Sequence, residues 1–327
     1  MKRRAFLASG LHASLLAALG AYAPALLAQA KFPGRTIKYI APFAAGGGGD
    51  LIARYLAQKL TEKFGSPVIV ENKTGAGGSI GADFVLKSPP DGYTILAMSS
   101  TYPIQAAVSK LPFDPIADLA PIIMISKDPV LIVVNNNFPA RTFKELVEIA
   151  RKDPGKLTYG SAGVGSLGHM AVEEMNYVAG VKMTHVPYKG SSQAFSDLLG
   201  GSIDVMLTST AFGAPYIKSG RVRGMALSGP ARVPALPDVP TFTEVGYPQY
   251  EVYDWKAVAG PRGIPAGVIA ILNAEFNAVL KDKVVAAKLE SDGIDPVGGT
   301  PEAMMATIRA DIARWKAVAE KAQIRIE

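Results

Sequence analysis

From Arg35 onward, short apolar runs rich in Ile, Val and Tyr alternate with longer stretches in which apolar residues recur every three or four positions. The first kind reads as buried strands and the second as amphipathic helices. Their alternation predicts an α/β fold, a mainly parallel sheet covered by helices. Thr36–Phe43, Val68–Glu71 and Tyr93–Met98 are the first expected strands, with helices at Asp50–Phe64 and Ile80–Lys87 between them. Asp50 is expected to cap its helix, because a carboxylate there accepts from unpaired first-turn amides. Ile122–Ser126 and Val130–Asn135 are two further apolar runs, parted by Lys127-Asp128-Pro129, which reads as a crossing between lobes.

A capping box at Thr142-Phe143-Lys144-Glu145 opens the next helix and Pro154-Gly155 closes it. Strands Leu157–Gly160, Met183–Val186 and Ile203–Thr208 then alternate with helices Leu167–Val178, Gln193–Leu199 and Ala214–Ser219. Val222–Leu227 and Val252–Ala259 read as return strands. They flank a Pro-rich stretch that holds a second Thr-x-x-Glu box, Thr241–Glu244. Beyond Pro265 the pattern is nearly all helical, with Pro265 and Pro301 suited to first-turn positions.

The length of 327 residues suits two lobes better than one core. Residues 1–30 stand apart. Lys2, Arg3 and Arg4 precede an apolar run from Ala5 to Leu27, and Ala28-Gln29-Ala30 is a small-x-small cleavage signal. This reads as an export signal, with Arg3-Arg4-Ala5-Phe6-Leu7 in the style of a twin-arginine leader. A membrane-spanning anchor is the alternative, against which His12, Ser14, Pro24 and the cleavage triplet weigh. The remaining chain divides into a first lobe at residues 31–124, a second at 125–250, and a return to the first at 251–327. Setting the leader aside lowers the net charge from +6 to +3, with acids and bases interspersed, so no nucleic-acid surface is expected. The absence of cysteine excludes disulfides, thiol nucleophiles and zinc–thiolate sites.

The chemistry lies in glycine-rich turns. They are Pro42–Asp50 with Gly46 to Gly49, Asn72–Gly81, Tyr159–Ser166, and Pro187–Ser192. Each precedes a helix, whose first amides are unpaired and whose dipole favours an anion. Glycine lets that backbone approach a ligand closely, so amides and hydroxyls from two lobes would hold a carboxylate without arginine. Tight turning and helix packing are the alternative role for any one of these glycines.

Other chemistries find less support. Gly163-Val164-Gly165-Ser166-Leu167-Gly168 fits a dinucleotide fingerprint, but the region about twenty residues on, Thr184–Lys189, carries no acid. No turn matches the Gly-x4-Gly-Lys-Ser/Thr phosphate loop. His169 and Glu173 share a helix face as half of a metal site, without a third ligand in view. No nucleophile–base–orienter set assembles. No metal, no cofactor and no enzymatic activity are expected.

At these turns the chain resembles the Bug-type extracytoplasmic receptors of tripartite tricarboxylate transporters. The resemblance rests on an ordered set: Pro42–Asp50, Val70-Glu71-Asn72-Lys73 with Gly75–Ala82, Pro90-Asp91-Gly92-Tyr93-Thr94, and Leu111-Pro112-Phe113-Asp114-Pro115. It continues in Tyr159-Gly160-Ser161 with Gly165-Ser166, His185–Ser191, Leu198–Gly201, Pro240-Thr241 with Glu244-Val245-Gly246, and Trp255. It implies a two-lobed periplasmic binding protein fold with a ligand cleft between the lobes. It further implies a monomer that closes on a small carboxylate and delivers it to the membrane subunits of a transporter. Carried over, the ligand site comprises Phe43, Gly46, Gly47, Gly48, Gly77, Gly78, Ser161, Gly163 and Ser166. The chain departs from the family pattern at Ala45, Gly49 and Ser79. It departs also at Thr208, a further expected ligand-site residue, where an acid is common, so an ammonium-bearing ligand has lost an acceptor. An exported dinucleotide-dependent oxidoreductase and a sensory receptor of the same fold are the alternatives.

Overall fold

The computed structural model describes residues 32–43, 45–46, 48–291 and 294–324. The expected export segment and Gly47 lie outside the described residues. Among those described, ten strands join one sheet: β1 (Ile37–Ala41), β2 (Val68–Asn72), β3 (Thr94–Ser99), β4 (Leu119–Asn135), β5 (Thr158–Ser161), β6 (Thr184–Pro187), β7 (Val205–Ser209), β8 (Val222–Leu227), β9 (Tyr253–Pro261) and β10 (Pro296–Gly298). Their order is β2-β1-β3-β9-β4-β7-β5-β6, with β8 and β10 also paired to β4.

The expected parallel arrangement holds only towards the two ends. β2-β1-β3 and β6-β5-β7 are parallel, each built from strand–helix–strand crossovers. The centre is antiparallel, because β9 returns between β3 and β4 and runs against both. The two runs expected as separate strands are one 17-residue strand, β4. Pro129 does not end it but marks a change of neighbours. Leu119 to Pro129 pairs with β9, whereas Val130 to Val134 pairs with β7 and Leu131 to Asn135 with β8. Proline brings no amide to the ladder, which suits a position where one set of pairings stops. β4 thus joins two wings, the first containing β1–β3 and β9, the second β5–β8.

Helices cover both wings. The helix Gly48–Phe64 seats Ile52, Leu56 and Leu60 on β1 and β3, at the spacing of one helix face. Phe143–Lys152 opens as its box predicts, with Thr142 Oγ1 accepting from the Glu145 amide at 3.2 Å. The Glu145 carboxylate, however, accepts from Arg141 N at 2.6 Å, one residue earlier than the motif implies. The Thr241 box is reciprocal, at 3.1 and 2.7 Å, but closes a turn rather than a helix. A helix at Thr101–Val108 was not among the expected elements. Pro103 reads as a breaker there, yet it sits in the first turn, where a missing amide costs nothing.

The final helix, Pro301–Lys321, belongs to both wings. Met304, Ile308 and Ile312 pack with Trp255 and Met98 in the first. Trp315, Val318 and Ala319 pack with Phe143, Met170 and Tyr250 in the second. Arg314, at the change-over, grips Glu174 through Nη2, at 2.9 and 2.7 Å to the two carboxylate oxygens, and through Nε at 3.0 Å, while Nη1 donates to Glu251 O.

Candidate functional site

A cavity of about 660 Å³ lies between the wings. That volume is within the range of small-molecule sites, roughly 300–1,000 Å³. Strand-to-helix turns from both wings wall it. From the first come Gly77, Gly78 and Ser79, and Ser99 and Thr101; from the second come Gly165 and Ser166, and Gly190 and Ser191. Four helices therefore begin at its edge: Ser79–Leu86, Thr101–Val108, Leu167–Ala179 and Ser191–Gly200.

Three of these four lack a side-chain cap. Gly78 and Gly190 have no side chain to offer. Ser100 turns its hydroxyl away to Asp254 Oδ1 at 2.9 Å, leaving its own helix uncapped. Elsewhere Thr142, Ser209 and Thr300 each cap their helix with a side-chain oxygen. A helix start without an internal acceptor leaves donors for an external one, and the dipole favours that acceptor being anionic. Among the described residues, Lys189 is the single charged residue lining the cavity. The rest of the wall is apolar or uncharged, with Phe43, Leu96, Met98, Tyr102, Phe113 and Val164 among it.

The expected site residues fall into two groups. Phe43, Gly77, Gly78 and Ser166 line this cavity together; Gly46, Gly48, Ser161, Gly163 and Thr208 are not among its lining residues. Apart from Thr208, which lies on β7, the second group belongs to the turns behind the wall. Gly46 donates its amide to Asp50 Oδ2 at 2.9 Å. Asp50, expected as an N-cap, lies inside the helix that starts at Gly48 and reaches back to hold the turn. Its carboxylate also accepts from Arg54 Nε at 2.9 Å and Asn72 Nδ2 at 2.7 Å, and Asn72 donates to Phe43 O as well. Burial raises the Asp50 carboxyl's pKa, but the hydrogen bonds from Arg54, Asn72 and Gly46 outweigh it and hold the group ionised below the usual range. The loop carrying Phe43 is thereby fixed to the end of β2 and to the helix after it.

The third turn spends its amides inward in the same way. Gly163 N donates to Ser161 Oγ at 3.1 Å, and Gly165 N to His169 Nδ1 at 3.2 Å. Ser161 Oγ also lies 2.6 Å from His185 Nε2. The rings of Tyr159, His185 and His169 form a stack, with His169 and His185 centred 4.0 Å apart. Burial pushes both imidazoles down to about 4, and His169 lowers His185 further, so both are neutral near pH 7. The Gly-x-Gly-x-x-Gly stretch is therefore a turn buttressed from behind by histidines, with its Gly163 and Gly165 amides already engaged. Thr208 is buried on β7 opposite Leu131, with its methyl against Gly213.

Ser99, Thr101, Tyr102 and Gln105 line the cavity without having been expected there, and Lys189 and Ser191, absent from the expected site residues, reach it from the fourth glycine turn. A signal existed for some of them. Ser99-Ser100-Thr101 after a strand is a run of capping residues, and Pro187–Ser192 had been identified as a turn. Gln105 had no such signal, since a lone polar residue in an apolar helix is ordinary.

Comparison with known proteins places this architecture. The periplasmic binding protein BugD superposes with a TM-score of 0.81 at 34% identity, over 90% of this chain and 100% of its own. The R. palustris protein Rpa4515, solved with adipate, gives 0.82 at 34% identity over 90% and 99% of the two chains. MatC from Rhodopseudomonas palustris, solved with bound malate, gives 0.80 at 29% identity over 88% and 99%. The fold is thus α/β of the periplasmic binding protein type, as the resemblance implied. A family model described as the tripartite tricarboxylate transporter family receptor matches residues 52–324, and the chain belongs to that family.

Proposed function

We propose that the protein is a periplasmic solute receptor. It takes a small carboxylate into the cleft between the wings and delivers it to the membrane subunits of a tripartite tricarboxylate-type transporter. The observation that carries the reading is the set of uncapped helix starts at Gly78, Ser100 and Gly190 around one cavity. A carboxylate is the small acceptor that such donors suit, and adipate and malate are the solutes held by two relatives of the same fold. Hydrogen bonds from uncharged groups to a charged one are worth more than neutral pairs, which lets amides do what arginine does elsewhere. The two wings act as lobes, residues 31–124 with 251–327 and residues 125–250, that close about the crossing strand β4 and the segment leading into β9. The site residues are those of the turns, with Phe43, Gly77, Gly78 and Ser166 on the wall and Ser161 and Gly163 behind it. The receptor works as a monomer, without metal, cofactor or turnover, after export directed by residues 1–30.

A melting screen of the protein against adipate, malate, monocarboxylates, tricarboxylates and aromatic acids tests this reading. A bound acid at a hundredfold excess over its Kd stabilises the fold by about 2.7 kcal/mol. Melting shifts with nucleotides and with no acid of the panel would instead favour a dinucleotide enzyme. Export is tested by the N-terminus of the protein recovered from cells, expected near Lys31. Replacing Arg3 and Arg4 by Lys separates the twin-arginine route, which the change blocks, from general secretion, which it does not.

A further inference from the structure

Gln105 lies in the helix Thr101–Val108 of the first wing and is 8% exposed. Its Nε2 donates across the cavity to Gly165 O in the second wing at 3.2 Å, and its Oε1 accepts from Ser109 Oγ at 2.9 Å. The same amide rests on Gly77: a Cβ at that glycine would stand 2.5 Å from Gln105 Cδ. The far side of the Gly165 residue is anchored too, through its N–H to His169 Nδ1. One side-chain amide therefore packs on the glycine turn of one wing and is bonded to the glycine turn of the other. Both turns line the cavity, and so does Gln105.

We propose that Gln105 is a positioning residue that latches the two glycine turns together across the cavity. Its amide does two jobs that no other common side chain combines. It donates a hydrogen bond to a backbone carbonyl, and its planar, uncharged end fits the space above Gly77. A carboxylate of the same length would face the Gly165 carbonyl with no donor and would add a negative charge beside an anion site. Leucine would fill the space and leave that buried carbonyl unpaired. The latch holds the wings at the separation at which both turns reach one solute. Losing it widens the cleft and speeds release.

The test compares the protein with Gln105→Leu, and with Gln105→Met as a more adaptable packing control. The chain has no cysteine, so Lys63→Cys and Lys182→Cys, one exposed position on each wing, take a pair of spin labels without interference. In buffer alone, the label-to-label distance distribution of both Gln105 variants is expected to move or broaden relative to the parent, whatever the change in their circular dichroism melts. Superimposable distributions would overturn the latch. So would a lowered melt with unchanged distances, which would make Gln105 a packing residue only. A second arm uses adipate as the probe and rests on the carboxylate reading. If the parent binds it, release from Gln105→Leu is expected to be about fivefold faster, the effect of one neutral hydrogen bond, with little change in association rate. Equal release rates would overturn the proposal. If adipate binds neither protein, the choice of solute fails, and the distance measurement still decides the latch.

Discussion

Ser161 Oγ and His185 Nε2 stand 2.6 Å apart, and His185 in turn stacks on His169 behind the Gly163–Gly165 turn. Both imidazoles are pushed down to about 4 by burial, from an unfolded value near 6.5. The unfolded chain therefore binds protons that the folded one refuses between those limits. The contribution of the pair is intact above pH 6.5 and is lost as pH falls towards 4. For His169 alone the loss is on the order of 3 kcal/mol. His169→Asn keeps an acceptor for Gly165 N and cannot titrate. Denaturant melts between pH 7 and 4 are expected to show this variant losing less stability than the parent.

Asp128 works in the opposite direction. It faces Asp254 across the β4–β9 ladder, and Lys256 pairs with Asp254 at 2.7 Å. Burial pushes the Asp128 carboxyl up to about 6. Lys256, the Asp295 amide and Ser126 draw it down, while Asp254 pushes it up. Here the folded state binds the extra proton, so stability rises as pH falls from 6 to 3.8, by about 3 kcal/mol. Asp128→Asn is expected to be more stable than the parent at pH 7.5 and to lose that advantage at pH 4. A variant that is less stable at both values would show that the ionised carboxylate is needed in place.

The glycines of the site separate conformational need from space for a ligand. Gly190 has extended backbone, with φ 175°, and a Cβ there meets nothing within 4 Å. Gly190→Val is expected to melt within a degree or two of the parent and to bind the cognate acid at least tenfold more weakly, as judged by calorimetric titration. Gly77 differs, since its φ is +63° and a Cβ would strike Gln105. Gly77→Val should lose both binding and stability. Unimpaired binding by Gly190→Val would remove the fourth turn from the solute's reach.

Trp315 is 2% exposed and comes from the last helix into the core of the second wing. Trp315→Ala is expected to cost about 3–5 kcal/mol, the usual range for a large buried aromatic. Thr300→Ala, which removes only the cap at the other end of that helix, should cost about 1 kcal/mol. Urea titrations of both variants check the order.

Much of the fold was legible because strand and helix periods differ so clearly in an α/β chain. Element types were right where a cap or a Pro-Gly pair bounded them, as at Thr142 and Pro154. The continuity of β4 was not legible. Lys127-Asp128-Pro129 has the composition of a turn, and only the change of partner from β9 to β7 and β8 explains a proline and a buried acid within a strand. The antiparallel centre was hidden for the same reason, since pairing direction leaves little mark on a short apolar run. At the cavity, the glycine turns announced themselves, but not which amides remained free. Gly46, Gly163 and Gly165 look like open donors in the sequence and are taken by Asp50, Ser161 and His169. Those partners are four residues away or fewer, yet a local sequence does not tell an inward hydrogen bond from an outward one.

The seating of the last helix in two cores bears on how the molecule comes into being. Its 21 residues supply Met304 and Ile308 to one wing and Trp315 and Val318 to the other. During synthesis neither core is complete until this segment has emerged, however early the strands of the first wing were made. Each of these two cores therefore gains its full packing only when this helix docks.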